Sequence, residues 1–289
     1  IGTHVIGALS FEPCVAAIQT SENIPLPQLA QEVQEVLKGE GSEFLQHLLV
    51  MGDSPQGARP KALVYRDPVN LEFSTQASNQ HEAWLIKFPA QQEHPEVCAI
   101  EAVYAECLRL CAIETPDTHF FNLPNGLTAF ASKRFDRQNG MRIPMQSLAA
   151  YTGADYKVPG SLDYRNFLRA TLMCTQDVRE RMHAFKRAVF NVLFNNRDDH
   201  TKNFSFLMEK NGQWKLAPAY DVTFCEGPGG YHQMDIMGEA LNISRNDIHK
   251  LGTSEANLTT LEVDEIILAM REIALQFSQI AQRLYPHQI

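Results

Sequence analysis

The chain has 289 residues, of which 44% are hydrophobic and 20% charged, and carries a formal net charge of −9. This length can bury a sizeable core in one large or two small domains, and the composition is that of a soluble globular protein. The acidic balance argues against broad, unaided binding to nucleic acid or an anionic membrane, no apolar run reaches the roughly 20 residues that a membrane helix needs, and no basic-then-apolar leader opens the chain.

Residues 1–27 are broken by Gly2, Gly7, Pro13, Pro25 and Pro27 and read as irregular, with GALSFEP at 7–13 as the tail of something upstream. An amphipathic helix is predicted over 26–38, stopped by Gly39 and Gly41, and a second over 42–51. The loop GDSPQGARPK at 52–61 precedes a strand-like run at 62–65. Its small residues let backbone N–H groups approach phosphate oxygens, and Arg59 or Lys61 adds charge. It is not a Walker A sequence, and a surface turn is the alternative.

HEAWLIKF at 81–88 reads as a strand with Ala83, Leu85 and Lys87 on one face. A lysine ending an apolar strand costs free energy unless paired. The helix predicted over 96–111 offers Glu101 among apolar neighbours, and that order suits the ion pair that aligns ATP phosphates in kinases. Taken singly, each charge would read as solvated. Strands at 118–121 and 127–132 flank Pro124-Asn125-Gly126, and the second leads into Lys133-Arg134-Phe135-Asp136-Arg137. That run is either a charged turn or a linker whose backbone meets an adenine ring.

Beyond Arg137 the pattern becomes helical, with helices predicted over 145–151, 164–175, 178–195, 244–251 and 263–283. The stretch around Gly227, Gly229 and Gly230 receives no element. Six cysteines, at 14, 98, 107, 111, 174 and 225, form no C-x-x-C and read as reduced, mostly buried thiols of a cytoplasmic protein. The ten histidines show no zinc spacing.

The chemistry concentrates between residues 190 and 221. A polar loop at 195–203 follows an apolar helix end, and strand-like runs at 204–208 and 213–216 are joined by Lys210-Asn211-Gly212, a hairpin signal. The hairpin returns Asp221 towards the loop that carries Asp198 and Asn203. Asp198 and Asn203 are five apart, the spacing of the Asp and Asn in a protein-kinase catalytic loop. Phosphoryl transfer needs a carboxylate to orient and deprotonate a hydroxyl, which suits Asp198, and oxygen ligands for Mg²⁺, which suits Asn203 and Asp221. An isolated D-x-x-x-x-N is more often a capped loop; here the preceding helix, the hairpin and the answering acid favour chemistry. The expected architecture is α+β, a two-lobed protein-kinase-like fold with a strand-rich N-lobe over 1–132 and a mainly helical C-lobe over 133–289.

RDDHTKNFSFL at 197–207, LAPAYDV at 216–222, SKRFDR at 132–137, GARPKA at 57–62 and GALSFEP together resemble the HipA-like serine/threonine kinases, toxins of bacterial toxin–antitoxin modules linked to persistence. The resemblance spans nearly the whole chain. It implies Asp198 as catalytic aspartate, and His200, Thr201 and Lys202 as loop residues beside the ATP phosphates. It implies Asn203 and Asp221 as Mg²⁺ ligands, Tyr220 next to the nucleotide, Lys87 as phosphate anchor and Glu101 as its partner. Lys133, Arg134 and Phe135 match the adenine linker, and Gln56, Gly57, Ala58, Arg59, Pro60 and Lys61 the phosphate loop. Ser54 falls where such toxins autophosphorylate; a phosphate there adds about two negative charges and would act as an off-switch by repelling nucleotide. Asp199, a second acid beside the first, is expected to point away as a helper or surface residue.

GALSFEP matches the final strand of a further N-terminal subdomain, which a separate small protein can supply in split relatives. The implied protein substrate is an aminoacyl-tRNA synthetase, such as glutamate–tRNA ligase, and the implied partner a helix-turn-helix antitoxin through which DNA is mainly contacted. The alternatives are a small-molecule kinase and an inactive antitoxin-binding corepressor; the intact Lys87, Glu101, Asp198, Asn203 and Asp221 argue against lost chemistry.

Overall fold

The structure is a computed structural model and describes residues 6–10, 24–39, 49–50, 59–75, 80–91, 93–94 and 96–287. The chain divides into two compact units that interleave in sequence. One takes Ile1–Ala102, Pro116–Ile143 and Tyr285–Ile289; the other takes Val103–Thr115 and Pro144–Leu284.

The first unit is built on an antiparallel sheet of β1 (Leu49–Val50), β2 (Lys61–Arg66), β3 (Phe73–Ser74), β4 (Glu82–Lys87), β5 (Thr118–Asn122) and β6 (Thr128–Lys133). The order is β1-β2-β4-β6-β5, with β3 also on β2. Alternation explains one face: Ala62, Val64, Trp84, Ile86, Ala129 and Ala131 are buried together with Leu29, Ala30 and Val33 of helix α1 (Leu26–Leu37). Phe130 packs with Cys98 and Ala102 of α2 (Val97–Leu110), whose first residues belong to this unit. The expected helix over 42–51 is corrected at its end, since Leu49 and Val50 pair with Ala62 and Lys61 as a strand.

The KRFDR run closes this unit. Asp136 is buried and accepts hydrogen bonds from Arg134, Arg137 and the Gly7 backbone N–H. Arg137 also donates to the Gly7 carbonyl, so the SKRFDR run meets Gly7 through two residues. Burial opposes the charge on Asp136, but the two arginines and Gly7 outweigh it and hold its pKa below the usual carboxylate value. The short ribbon of β7 (Arg137–Gln138) and β8 (Met141–Arg142) follows.

The second unit holds a three-stranded sheet, β11-β10-β9, made of β9 (Met145–Ser147), β10 (Ser205–Met208) and β11 (Trp214–Leu216). The expected hairpin is present with Phe206 opposite Leu216, and Gly212 takes the positive φ of its turn. The helix expected over 145–151 begins only at Leu148, as α3 (Leu148–Thr152). Ser147 caps it by accepting from the Ala150 N–H, which leaves residues 145–147 free to pair with β10.

Helices α4 (Tyr164–Thr175) and α5 (Val178–Leu193) form the framework behind the hairpin. They start on Asp163 and Asp177 as N-caps. Towards the C-terminus, α6 (Arg245–Ser254) and α7 (Thr260–Leu275) each open on a capping box, Ser244 with Asp247 and Thr259 with Glu262. The single helix expected over 263–283 is therefore corrected: α7 starts earlier, ends at Leu275, and α8 (Phe277–Leu284) follows. Among the described residues no helix is long and apolar enough to cross a membrane. Cys98, Cys107, Cys111, Cys174 and Cys225 are free thiols, the first three buried.

Candidate active site

In the first unit, Lys87 ends β4 on a buried side and its Nζ lies 2.5 Å from Glu101 Oε1 of α2. Both side chains are nearly sealed from water, at 7% and 3% exposure. Glu101 has a second cation: Arg59 Nη1 lies 2.9 Å from its other oxygen, while Arg59 Nε meets Glu93 at 2.9 Å. Burial works against the Arg59 charge, yet Glu101 and Glu93 outweigh it and raise its pKa. Beneath the pair, burial pushes the Cys98 thiol up to about 12, with Glu101 adding to the shift, so that sulfur stays protonated.

Lys61 is the cross-strand partner of Lys87, so β2 and β4 place two lysines on one face. The Pro60 carbonyl accepts from the Phe88 N–H and fixes the entry to β2. Lys133 reaches back to Glu82 at 2.5 Å, and Arg134 donates to Asp136 as well as, from its backbone, to the Ala83 carbonyl. Gln56, Gly57, Ala58 and Ser54 lie outside the described residues.

In the second unit, the loop after α5 is held at both ends. Arg197 N–H donates to the Cys225 carbonyl, and Cys225 N–H returns a bond to Asn195. The side chain of Asn203 donates through Nδ2 to the Asp198 carbonyl at 2.7 Å, so the two residues five apart in sequence are adjacent in space. That bond engages the amide nitrogen of Asn203, so its side-chain oxygen is the atom that can serve as a ligand. Such a hard oxygen donor, with the Asp221 carboxylate, is the donor type that Mg²⁺ takes.

Asp221 is brought back by the hairpin. Tyr220 Oη donates to the Lys202 carbonyl at 2.6 Å and lies 2.6 Å from Ser205 Oγ, which ties the residue before Asp221 to the residue before Asn203. Burial raises the Tyr220 pKa, and the Asp221 charge adds to it, so the phenol keeps the proton it donates. Ala217 N–H donates to Ser205, Ala219 N–H donates to Glu114, and the Ala219 carbonyl accepts from Thr115 Oγ1. Arg187 of α5, 6% exposed, donates to the Ala217 carbonyl, and burial lowers its pKa to about 10. Asp221 itself adopts φ 56°, a left-handed conformation that few non-glycine residues take and that Asp tolerates better than most. Ala219 and Val222, on either side of it, line one small cavity with Asn203 and Asp199.

Near Asp198, His200 Nε2 stands 3.7 Å from its carboxylate. Lys202 is exposed, with its ammonium 3.7 Å from the centre of the Tyr156 ring. The hydroxyl of buried Thr201 and Nδ1 of His200 find no hydrogen-bond partner among the described residues.

Of the two roles expected for Asp199, helper or surface residue, the structure corrects the surface one. It is fully buried, and its carboxylate accepts from Tyr164 Oη at 2.7 Å, His232 Nδ1 at 2.8 Å and the Gln233 N–H at 2.7 Å. The chain of bonds continues, since Asn191 donates to Tyr164 and Asn196 donates to Asn191. Burial, reinforced by the Asp199 charge, raises the Tyr164 pKa well above its usual value, which keeps the phenol a donor. Sequence reasoning missed Tyr164, Asn191, Asn196, His232 and Arg187. The signals were faint: a polar Asn191 inside the apolar run VFNVLF, and an arginine three residues before Phe190 on the same helix.

The sequence profile of the HipA-like C-terminal domain matches residues 54–279. The chain belongs to that family. It is 25% identical over 165 residues to a Haemophilus influenzae protein named "Putative kinase", an alignment that covers 50% of this chain and 45% of that protein. The chain thus spans about half the length of the curated relative it matches. Among solved structures it is similar to HipA of the Shewanella oneidensis toxin–antitoxin system, determined with HipB and operator DNA. The TM-score is 0.73 and the identity 17%, over 98% of this chain and 70% of that one. A weaker similarity, with TM-score 0.43 and 14% identity over 80% of this chain and 94% of the other, is to the Helicobacter pylori proinflammatory kinase CtkA. The HipA match shows the fold, and the mixed α+β architecture expected from sequence is the one observed.

Proposed function

We propose that this chain is an ATP- and Mg²⁺-dependent protein serine/threonine kinase that acts as the toxin of a toxin–antitoxin module. The observation that carries the reading is the meeting of Asp198, Asn203 and the Tyr220–Asp221 return within one unit. Family membership and the HipA fold point the same way. ATP supplies the phosphoryl group, and Mg²⁺ neutralises charge on it when both are bound.

The residues of this chain then have distinct tasks. Asn203 and Asp221 hold the metal through oxygen atoms. Lys87 anchors phosphate oxygens while Glu101 keeps its ammonium in place, and residues 56–61 with His200, Thr201 and Lys202 contact the phosphates. Lys133, Arg134 and Phe135 meet the base, and Tyr220 supports the nucleotide side of the loop. Asp198 orients the acceptor hydroxyl and takes its proton. The partner we propose is a helix-turn-helix antitoxin, on the model of the HipA–HipB–operator assembly, and the acceptor an aminoacyl-tRNA synthetase.

Incubation with γ-labelled ATP, Mg²⁺ and a bacterial lysate tests the reading. Label on serine or threonine of a protein acceptor is expected. Label on metabolites alone would make the chain a small-molecule kinase, and no label at all would leave only the antitoxin-binding role. Mass spectrometry of the same sample tests the proposed Ser54 switch; an active preparation without phosphate on Ser54 removes it.

A further inference from the structure

The buried Asp199 network has no task in the chemistry described above. Asp198 and Asp199 are neighbours with opposite surroundings: the Asp198 side chain is 22% exposed and that of Asp199 is 0% exposed. Residue 198 is therefore fixed from both directions. Before it, Arg197 is bridged to Cys225; after it, three donors grip the Asp199 carboxylate.

The donors come from two further parts of the second unit. Tyr164 is the first residue of α4. His232 and Gln233 belong to the stretch after Gly230, which folds back on itself through His232 N–H to Ala240 and a bridge between Ile236 and Glu239. This folded-back stretch also docks on the start of α4, because Gly160 N–H donates to Gln233 and Tyr164 N–H donates to Asp235. Asp199 is thus the joint between the loop that carries Asp198 and the 231–240 stretch.

We propose that Asp199 is a positioning residue, whose buried carboxylate holds Asp198 in register with α4 and the 231–240 stretch. The proposal rests on the kinase reading of Asp198. A carboxylate is the group the site demands. It presents acceptors only, so Nδ1 of His232 must carry the hydrogen towards it. An asparagine could satisfy the Gln233 N–H with its oxygen, but its NH₂ would then face the phenol and the imidazole N–H. If the phenol turned to accept from that NH₂ as well as from Asn191, its own O–H would lose the acceptor that Asp199 provides.

The test compares wild type with Asp198→Asn, Asp199→Asn, His232→Leu and His232→Asn in the full chain. His232→Leu removes the donor at similar bulk, whereas His232→Asn keeps an N–H near the Nδ1 position. One readout is initial-rate transfer from γ-labelled ATP to dephosphorylated casein, with affinity for a fluorescent ATP analogue measured alongside. The second is hydrogen exchange of residues 197–203 and 231–240, which needs no activity.

We expect kcat to fall about 10- to 100-fold in Asp199→Asn and His232→Leu, with nucleotide affinity kept, and to recover in His232→Asn. Exchange should rise in both segments in the first two variants and return in the third. Wild-type kcat and exchange in His232→Leu would overturn the proposal even if Asp199→Asn does not fold. A rate loss in His232→Asn equal to that in His232→Leu would also overturn it, since the donor would then be irrelevant. Full transfer by Asp198→Asn is a separate result: it defeats the kinase assignment of Asp198, while the exchange data still decide whether Asp199 joins the two segments.

Discussion

Glu101 and Asp199 are both buried carboxylates, at 2% and 0% exposure, and they are satisfied in opposite ways. Glu101 lies between two full cations, Lys87 and Arg59. Asp199 is held by a phenol, an imidazole and a backbone N–H, with no lysine or arginine among its hydrogen-bond partners in the described residues. A charge balanced by charges is tolerant of small shifts, because Coulomb attraction falls slowly with distance. A charge balanced by hydrogen bonds depends on donor direction and fixes geometry more tightly. The first arrangement suits an anchor for a mobile anionic ligand, and the second suits a frame for one neighbouring residue.

Removing charge from each region should separate these roles, and the largest effect belongs to the ion cluster. Glu101→Ala leaves the buried Lys87 and the partly buried Arg59 without their shared partner and should cost about 3–5 kcal/mol in denaturant unfolding. Lys87→Met should cost clearly less, since Arg59 still neutralises Glu101; equal costs would show that Arg59 contributes nothing. Tyr164→Phe removes one donor from Asp199 and strands the Asn191 amide, for an expected loss of about 1–3 kcal/mol.

Asp136 sharpens the comparison through pH. Its folded pKa lies below the unfolded value, so its stabilisation is complete above the ordinary carboxylate range and disappears as pH falls through the folded pKa. The gap in melting temperature between wild type and Asp136→Asn should therefore be widest near neutral pH and should narrow below about pH 4. A gap independent of pH would assign the loss to packing instead. The smallest effect is expected at a helix end: Thr259→Ala removes an N-cap and half of a capping box, worth about 1 kcal/mol.

Much of this was readable in advance, for physical reasons that differ by region. Lys87 and Glu101 announce themselves because a charge inside an apolar strand or helix must find a partner nearby. The hairpin was legible from Asn211-Gly212, whose backbone demands the turn, and it carried Asp221 with it. The Asp199 network was not legible, since its partners Tyr164 and His232 lie 35 and 33 residues away and carry no charge signature. Residues 145–147 read as helix because Met145 stands three residues before Leu148, a helical spacing; only the Ser147 cap and the β10 edge decide for a strand. The capping boxes at Ser244 and Thr259 are written in the sequence, and the second marks a helix start ahead of Val263.

The central claim is that Asp198 serves the acceptor hydroxyl in phosphoryl transfer. The most direct measurement is single-turnover transfer of γ-phosphate from ATP to a protein acceptor by wild type and Asp198→Asn, with nucleotide binding followed in parallel. A rate lower by about 10²–10⁴-fold at preserved nucleotide affinity is the predicted result. Transfer at the wild-type rate by the asparagine variant would contradict it.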